Sequence, residues 1–339
     1  MNDNVLAAIG NTPLVHLQHI FKDRPFHLYA KLEGLNPGGS TKDRPALTII
    51  KHGLETGLIR PDTVVVESSS GNMGIGLAQI CSYYGLRFIC VVDPKTTEQN
   101  LKLLKVYGAE VDRVEQPDPA TGEYLQARIN RVQELRRLHP NNFWPNQYGN
   151  VLNPRAHHQT MREILAALNQ PLDYLFCATS TCGTLRGCAE YIHENGLPTK
   201  VIAVDALGSV IFGGQKSKRL IPGHGAAIRP ELFQDTLADR YIHVTDIDCV
   251  IGCRRLVRHE AILAGGSSGA VLMAVEQIKH EITAGANCVA IFPDRGERYL
   301  DTIYCNDWLR QHFSREQVDL VSNLWQGTEE AQACMTMTY

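Results

Sequence analysis

The 339-residue chain is short of the features that mark several large classes of function. It has no run of about 18 apolar residues, so no membrane-spanning helix is expected. Neither sign of charge dominates: 33 Lys and Arg stand against 36 Asp and Glu, a net charge of -3 with histidine neutral. That balance provides no broad positive field for nucleic acid or an anionic membrane, although a local cluster can still hold a small anion. The ten cysteines never form C-x-x-C, and the closest pair, Cys249 and Cys253, lies on a helical pattern. Scattered in this way, they read as small buried hydrophobes of a reducing compartment. The opening M-N-D-N-V-L-A-A-I-G-N-T-P-L has neither a basic leader nor an apolar core, so no signal peptide is expected there and the expected location is cytoplasmic. No G-x-x-x-x-G-K-[ST] occurs, and no G-x-G-x-x-G follows a strand pattern, which argues against nucleoside triphosphates and nicotinamide dinucleotides. A zinc hydrolase is disfavoured too. H-E-x-x-H is missing, and His157 and His158, adjacent on a helix, would point about 100° apart; no metal site is expected.

What is present is strand–helix alternation in a soluble composition, 44% hydrophobic and 20% charged. Strands are predicted at 63–67, 87–92, 110–115, 173–177, 200–205 and 287–292, and helices at 73–84, 98–107 and 124–138. The pattern predicts an α/β fold of two lobes, each an open, mainly parallel sheet flanked by helices. The turn-rich P-N-N-F-W-P-N-Q-Y-G-N reads as the crossing between them. The expected division is a smaller mobile lobe, 35–145, a larger lobe of 1–34 plus 146–326, and a flexible tail, 327–339. Residues 207–233, rich in Gly and Pro, read as a long irregular excursion of the kind that is often functional.

Four polar loops stand ahead of helical patterns. In N-P-G-G-S-T-K-D-R-P (36–45), Lys42 falls at a helix start, where the partial positive charge disfavours a cation. A solvated surface lysine is one reading. The other is an amine that loses its proton and turns nucleophilic, with Gly38 and Gly39 letting the backbone approach a ligand. S-S-S-G-N-M-G (68–74) forms a polar cradle sized for a carboxylate or a ring oxygen, and A-T-S-T-C-G-T (178–184) sets hydroxyls and N–H groups at a helix start, as a phosphate site requires. A-G-G-S-S-G-A (264–270) is the fourth. One lysine, one phosphate cup and neutral polar groups suit pyridoxal 5'-phosphate.

These loops, with I-G-N-T-P-L near the start and F-P-D-R-G-E-R-Y-L near the end, resemble in order and spacing the motifs of the cysteine synthase/cystathionine β-synthase group of fold-type II pyridoxal-phosphate enzymes. The resemblance spans residues 9–300. It implies that Lys42 is the Schiff-base lysine and that Asn72 bonds the cofactor's ring hydroxyl. Ser180, Thr181, Cys182, Gly183 and Thr184 would hold its phosphate, and Ser267 would face its pyridine nitrogen. Ser69, Ser70, Gly71 and Met73 would grip the substrate α-carboxylate, with Gln147 assisting. A homodimer acting on small amino acids is also implied. A neutral serine at the pyridine nitrogen makes a weaker electron sink than an aspartate, which favours β-elimination and replacement through an aminoacrylate, Lys42 acting as the general base.

The sequence departs from the pattern typical of cysteine synthases. S-S-G-N-M-G stands for T-S-G-N-T-G, S-T-C-G-T for G-T-G-G-T, Gln147-Tyr148 for Gln-Phe, and P-D-R-G-E-R-Y for P-S-S-G-E-R-Y. The hydroxyls of Ser180 and Tyr148 suit a second substrate more polar than sulfide. The pattern is closer to the N-(2-amino-2-carboxyethyl)-L-glutamate synthases of siderophore biosynthesis, in which O-phospho-L-serine and L-glutamate are joined towards 2,3-diaminopropionate. Arg128, Arg131 or Arg136 on the 124–138 helix would meet an anionic substrate group, or form a solvated basic face. A cysteine synthase using sulfide and a non-catalytic binding relative are the other readings.

Overall fold

The computed structural model describes residues 3–323; the expected tail, 327–339, and Cys334 lie outside them. The chain runs β1 (Leu14–His16), β2 (His27–Leu32), α1 (Asp43–Glu55), β3 (Val64–Ser68), α2 (Asn72–Tyr84), β4 (Arg87–Val92), α3 (Glu98–Val106), β5 (Glu110–Arg113), α4 (Tyr124–Leu138) and β6 (Asn142–Phe143). It continues with α5 (Leu152–Leu168), β7 (Tyr174–Ala178), α6 (Gly183–Glu194), β8 (Lys200–Ala206), β9 (Arg240–Val244), α7 (Asp246–Glu260), α8 (Gly266–Ile278), β10 (Asn287–Phe292) and α9 (Asn306–His312). Between β8 and β9 no helix or strand intervenes, as expected for 207–233.

Two sheets result. One has the order β1-β2-β10-β7-β8-β9, and the other β5-β4-β3-β6. All pairings are parallel except β1 with β2 at an edge. Parallel strands are covered on both faces, which is why β4 and β10 read as unbroken apolar runs. Along β10, Cys288, Ala290 and Phe292 pack towards α7 and α8, while Val289 and Ile291 pack towards α5 and α6. Two further clusters cover the faces of the smaller sheet. The cysteines among the described residues are free, and all but Cys305 are buried, as their scatter suggested.

This topology positions the site. β2, β10 and β7 are neighbours and run parallel, so the loops leaving their carboxyl ends meet at one edge. The Thr41 N–H donates to the carbonyl of Pro293 (2.7 Å), and the Gly265 N–H to that of Asp294 (3.1 Å). Those bonds clamp the turn after β10 between the Lys42 loop and the start of α8.

Candidate active site

Lys42 occupies the cap position of α1 with its own N–H donated to Ser40 Oγ (3.2 Å). The two glycines before it are required by the turn itself. Gly38 donates its N–H to Asp43 Oδ2 (2.5 Å), and a Cβ there would sit 2.5 Å from Asp43 Oδ1. Gly39 has φ +84° and lies against Arg298. Just beyond, Arg44 pairs with Glu33 and Glu163 (2.6 Å each), and Lys31 with Glu163 (2.7 Å); Lys31, Glu33 and Arg44 are buried and Glu163 is half-buried. Burial alone would raise Glu163, but Arg44 and Lys31 hold it down at about 2. This network ties α1 to β2 and α5 and so fixes the base of Lys42.

Burial lowers the pKa of the Lys42 amine, opposed by the charge of Asp294 and by Cys182. Burial pushes the Cys182 thiol up to about 12, so it stays neutral and Asp294 supplies the counter-charge. Lys42 is the lysine that can shed its proton here.

Cys182 also brings the 180–184 loop to Lys42. Its φ of +65° turns the chain from β7 into α6, and Thr181 Oγ1 accepts the Gly183 N–H (3.3 Å). Gly183 has no room for a side chain, since a Cβ would lie 2.2 Å from Asn153 Oδ1. Thr184 Oγ1 meets His157 Nε2 (3.2 Å), whose Nδ1 meets Thr160 Oγ1 (3.3 Å). Burial drives the His157 pKa well below 6.5, so the ring is neutral. The sequence offered no sign of this prop behind the loop. His158 turns instead towards Glu190 and Glu194, 3.9 Å from each. Hydroxyls of Ser180, Thr181 and Thr184 and the N–H groups at the start of α6 are grouped in this loop, an arrangement that can accept a phosphate.

Asn72 opens α2 and crosses to the larger sheet, its Nδ2 donating to Asp294 Oδ2 (2.8 Å) while Arg298 donates to its Oδ1. Ser267 stands in the first turn of α8, 9% exposed, two residues past Gly265, which faces Asp294 Oδ1. Asp294 is thus a common neighbour of Lys42, Asn72 and the start of α8, and Cys182 brings the 180–184 loop towards Lys42.

The remaining predicted residues line the side of the smaller sheet. Ser69 Oγ accepts the N–H of Gly74 (2.9 Å) in the first turn of α2 and donates to the carbonyl of Gly71 (3.4 Å), so its hydroxyl is already engaged. The Met73 side chain is buried in the core, leaving its backbone N–H for a ligand. Ser70 is half-buried, and Gly71 caps α2. Gln147 is held by Ser68 O (3.1 Å) and by Glu67, which accepts its N–H (3.2 Å). Glu67 is buried, pushed up to about 7 by that burial, and also accepts from Trp144 Nε1 (3.2 Å). Sequence reasoning missed it because it reads as part of a buried strand. Of the three arginines, Arg128 is the buried one, 7% exposed, 3.0 Å from Asp93 Oδ2 and against the Tyr148 hydroxyl. Arg131 pairs with Asp112 (2.8 Å) and Glu134, and Arg136 bonds Asn142 (3.1 Å).

The family model for pyridoxal-phosphate-dependent enzymes matches residues 5–294. The chain belongs to that family. It is similar to solved structures of a hydrogen sulfide-producing enzyme from Fusobacterium nucleatum (35% identity, TM-score 0.83, 88% of this chain and 100% of that one). It is also similar to an O-acetylserine-dependent cystathionine β-synthase from Helicobacter pylori (31%, TM-score 0.83, 90% and 99%). An O-acetylserine sulfhydrylase isoform from Entamoeba histolytica matches as well (29%, TM-score 0.83, 95% and 96%). The cofactor is pyridoxal 5'-phosphate, and the enzyme is of the cysteine synthase type with that group's two-sheet fold. The residues present fit the cofactor: Lys42, an amine lowered in pKa, is near both Asp294, which holds the Asn72 amide, and Cys182 of the glycine-tight loop at the start of α6.

Proposed function

We propose that the enzyme joins O-phospho-L-serine to L-glutamate, releasing phosphate and giving N-(2-amino-2-carboxyethyl)-L-glutamate. Bound pyridoxal phosphate supplies the electron sink that lets the substrate's β-substituent leave. Lys42 carries the cofactor and takes the α-proton. The cup at 180–184 holds the cofactor's phosphate, while Ser267 faces its ring nitrogen as a neutral group. The strip at 69–73, whose Ser69 N–H is already donated to Val91 O (3.1 Å), holds the substrate carboxylate through its remaining N–H groups, with Gln147 beside it.

The observation that carries the choice of substrate is Arg128, a buried guanidinium beside Tyr148, one residue from Gln147. Asp93 holds this guanidinium at 3.0 Å, and a substrate with a second, strongly anionic group, such as a phosphate ester, would share or take over that partner. An acetyl ester has no charge for it. Incubation of the holoenzyme with O-phosphoserine and either glutamate or sulfide, with product mass as the readout, tests this. The adduct with glutamate is expected. Faster formation of cysteine from O-acetylserine and sulfide would make the enzyme a cysteine synthase, and a spectrum unmoved by any β-substituted serine would make it a non-catalytic binder.

A further inference from the structure

P-D-R-G-E-R-Y carries aspartate at 294 where the related pattern carries serine, and its charge towards Lys42 does not account for the hydrogen bonds its carboxylate makes. Asp294 is 3% exposed. Its Oδ2 accepts from Asn72 Nδ2 (2.8 Å) and from the Tyr299 hydroxyl (2.5 Å), while its Oδ1 is buried with no partner among the described residues. On the other side of the amide, Arg298 donates to Asn72 Oδ1 and to the carbonyl of Gly38.

A primary amide has one accepting end and one donating end, and the two look alike in shape. Burial raises the Asp294 pKa, opposed by Tyr299, Asn72 and the charges of Arg298 and Lys42. Its Oδ2 already takes two hydrogens and so acts as an acceptor towards Asn72, while a guanidinium only donates. Held between them, the Asn72 amide has a single permitted orientation, with nitrogen towards Asp294 and oxygen towards Arg298. The nitrogen carries two hydrogens and Asp294 takes one. The second is left for the ring oxygen of the cofactor. Reversed, the amide would turn its oxygen on that ring oxygen, and two acceptors would face each other.

We propose that Asp294 is a positioning residue that fixes the Asn72 amide with its N–H towards the cofactor's ring oxygen. The proposal rests on the assignment of Asn72 to the cofactor. Because Asp294 acts through Asn72, removing both partners costs no more than removing one. The Arg298 contact joins α2 to the Lys42 loop through Gly38, so the same latch spans both sheets.

The test is a cycle of Asn72→Ala, Asp294→Ala and the double variant, read by visible circular dichroism of the bound cofactor and by its release rate to an apoenzyme acceptor. Each single variant is expected to lose at least about half of the dichroic amplitude and to release cofactor about tenfold faster, as for one lost hydrogen bond. The double variant should match the singles. Asp294→Asn, whose amide oxygen accepts the same two hydrogens, should stay within about twofold of the wild type. Should Asp294→Ala not fold, Asp294→Ser carries the same expectation, since its shorter side chain cannot reach Asn72. Additive effects, an unchanged Asp294→Ala, or an Asn variant as impaired as Ala would overturn the proposal while leaving the assignment of Asn72 intact. An unchanged Asn72→Ala would overturn both.

Discussion

Gly183→Ala tests whether the 180–184 loop is the phosphate cup. The new methyl would lie 2.2 Å from Asn153 Oδ1, 2.5 Å from its Cγ and 2.6 Å from its Nδ2. Carbon settles against its neighbours at about 3.5 Å, so one side must give way by about 1 Å. Asn153 cannot, because its Nδ2 donates to the carbonyl of Gln147 (2.7 Å) in a buried setting. The loop moves instead. A hydrogen bond stretched by about 1 Å is no longer one, and a bond to a charged phosphate contributes about 1.5–3 kcal/mol. Losing one weakens cofactor affinity about tenfold to a hundredfold. Asn153→Ala deletes the three obstructing atoms. In that background Gly183→Ala should cost less than about threefold, and the lost bond to Gln147 cancels between the arms of the cycle. The assay is titration of apoprotein with pyridoxal phosphate. A penalty below about threefold in the wild-type background, or one that persists without Asn153, refutes the reasoning.

Arg128→Gln should lower kcat/KM for O-phosphoserine about tenfold to a hundredfold, as for a lost charge-assisted bond, while leaving O-acetylserine within about threefold. Comparing two substrates in one variant cancels any folding loss from leaving Asp93 unpaired; equal losses would remove Arg128 from substrate recognition. Glu67 predicts a pH effect on stability. Its carboxyl ionises near 4.5 unfolded and about 7 folded, so the stability tied to its protonated form is complete below about 4.5 and is lost as pH rises through about 7. Glu67→Gln cannot ionise. Its urea-derived stability relative to wild type should therefore rise by about 3 kcal/mol across that window; parallel curves would show that Glu67 does not titrate as its burial requires.

What the sequence made legible follows from where the information lies. β4, β10 and α4 were bounded correctly because their patterns are local: two apolar runs and one long helical stretch. β2 was missed because Lys31 interrupts its apolar pattern, and only Glu163, far along the chain, explains how that lysine is buried. β9, R-Y-I-H-V, is a polar edge, and β6 has two residues. Lys42 could be found because a cation at a helix start is locally anomalous. Asp294 and His157 could not, since their meaning lies in Asn72 and Thr184, which only the sheet order brings near. Nor did the sequence separate Arg128 from Arg131 and Arg136, whose difference is burial against Asp93.

The account turns on Lys42 as the covalent anchor of the cofactor. Borohydride reduction of the holoenzyme followed by peptide mapping tests it most directly. The pyridoxyl tag is predicted on Lys42, with none retained by Lys42→Ala. A tag on another lysine, or no tag on the wild type, contradicts it.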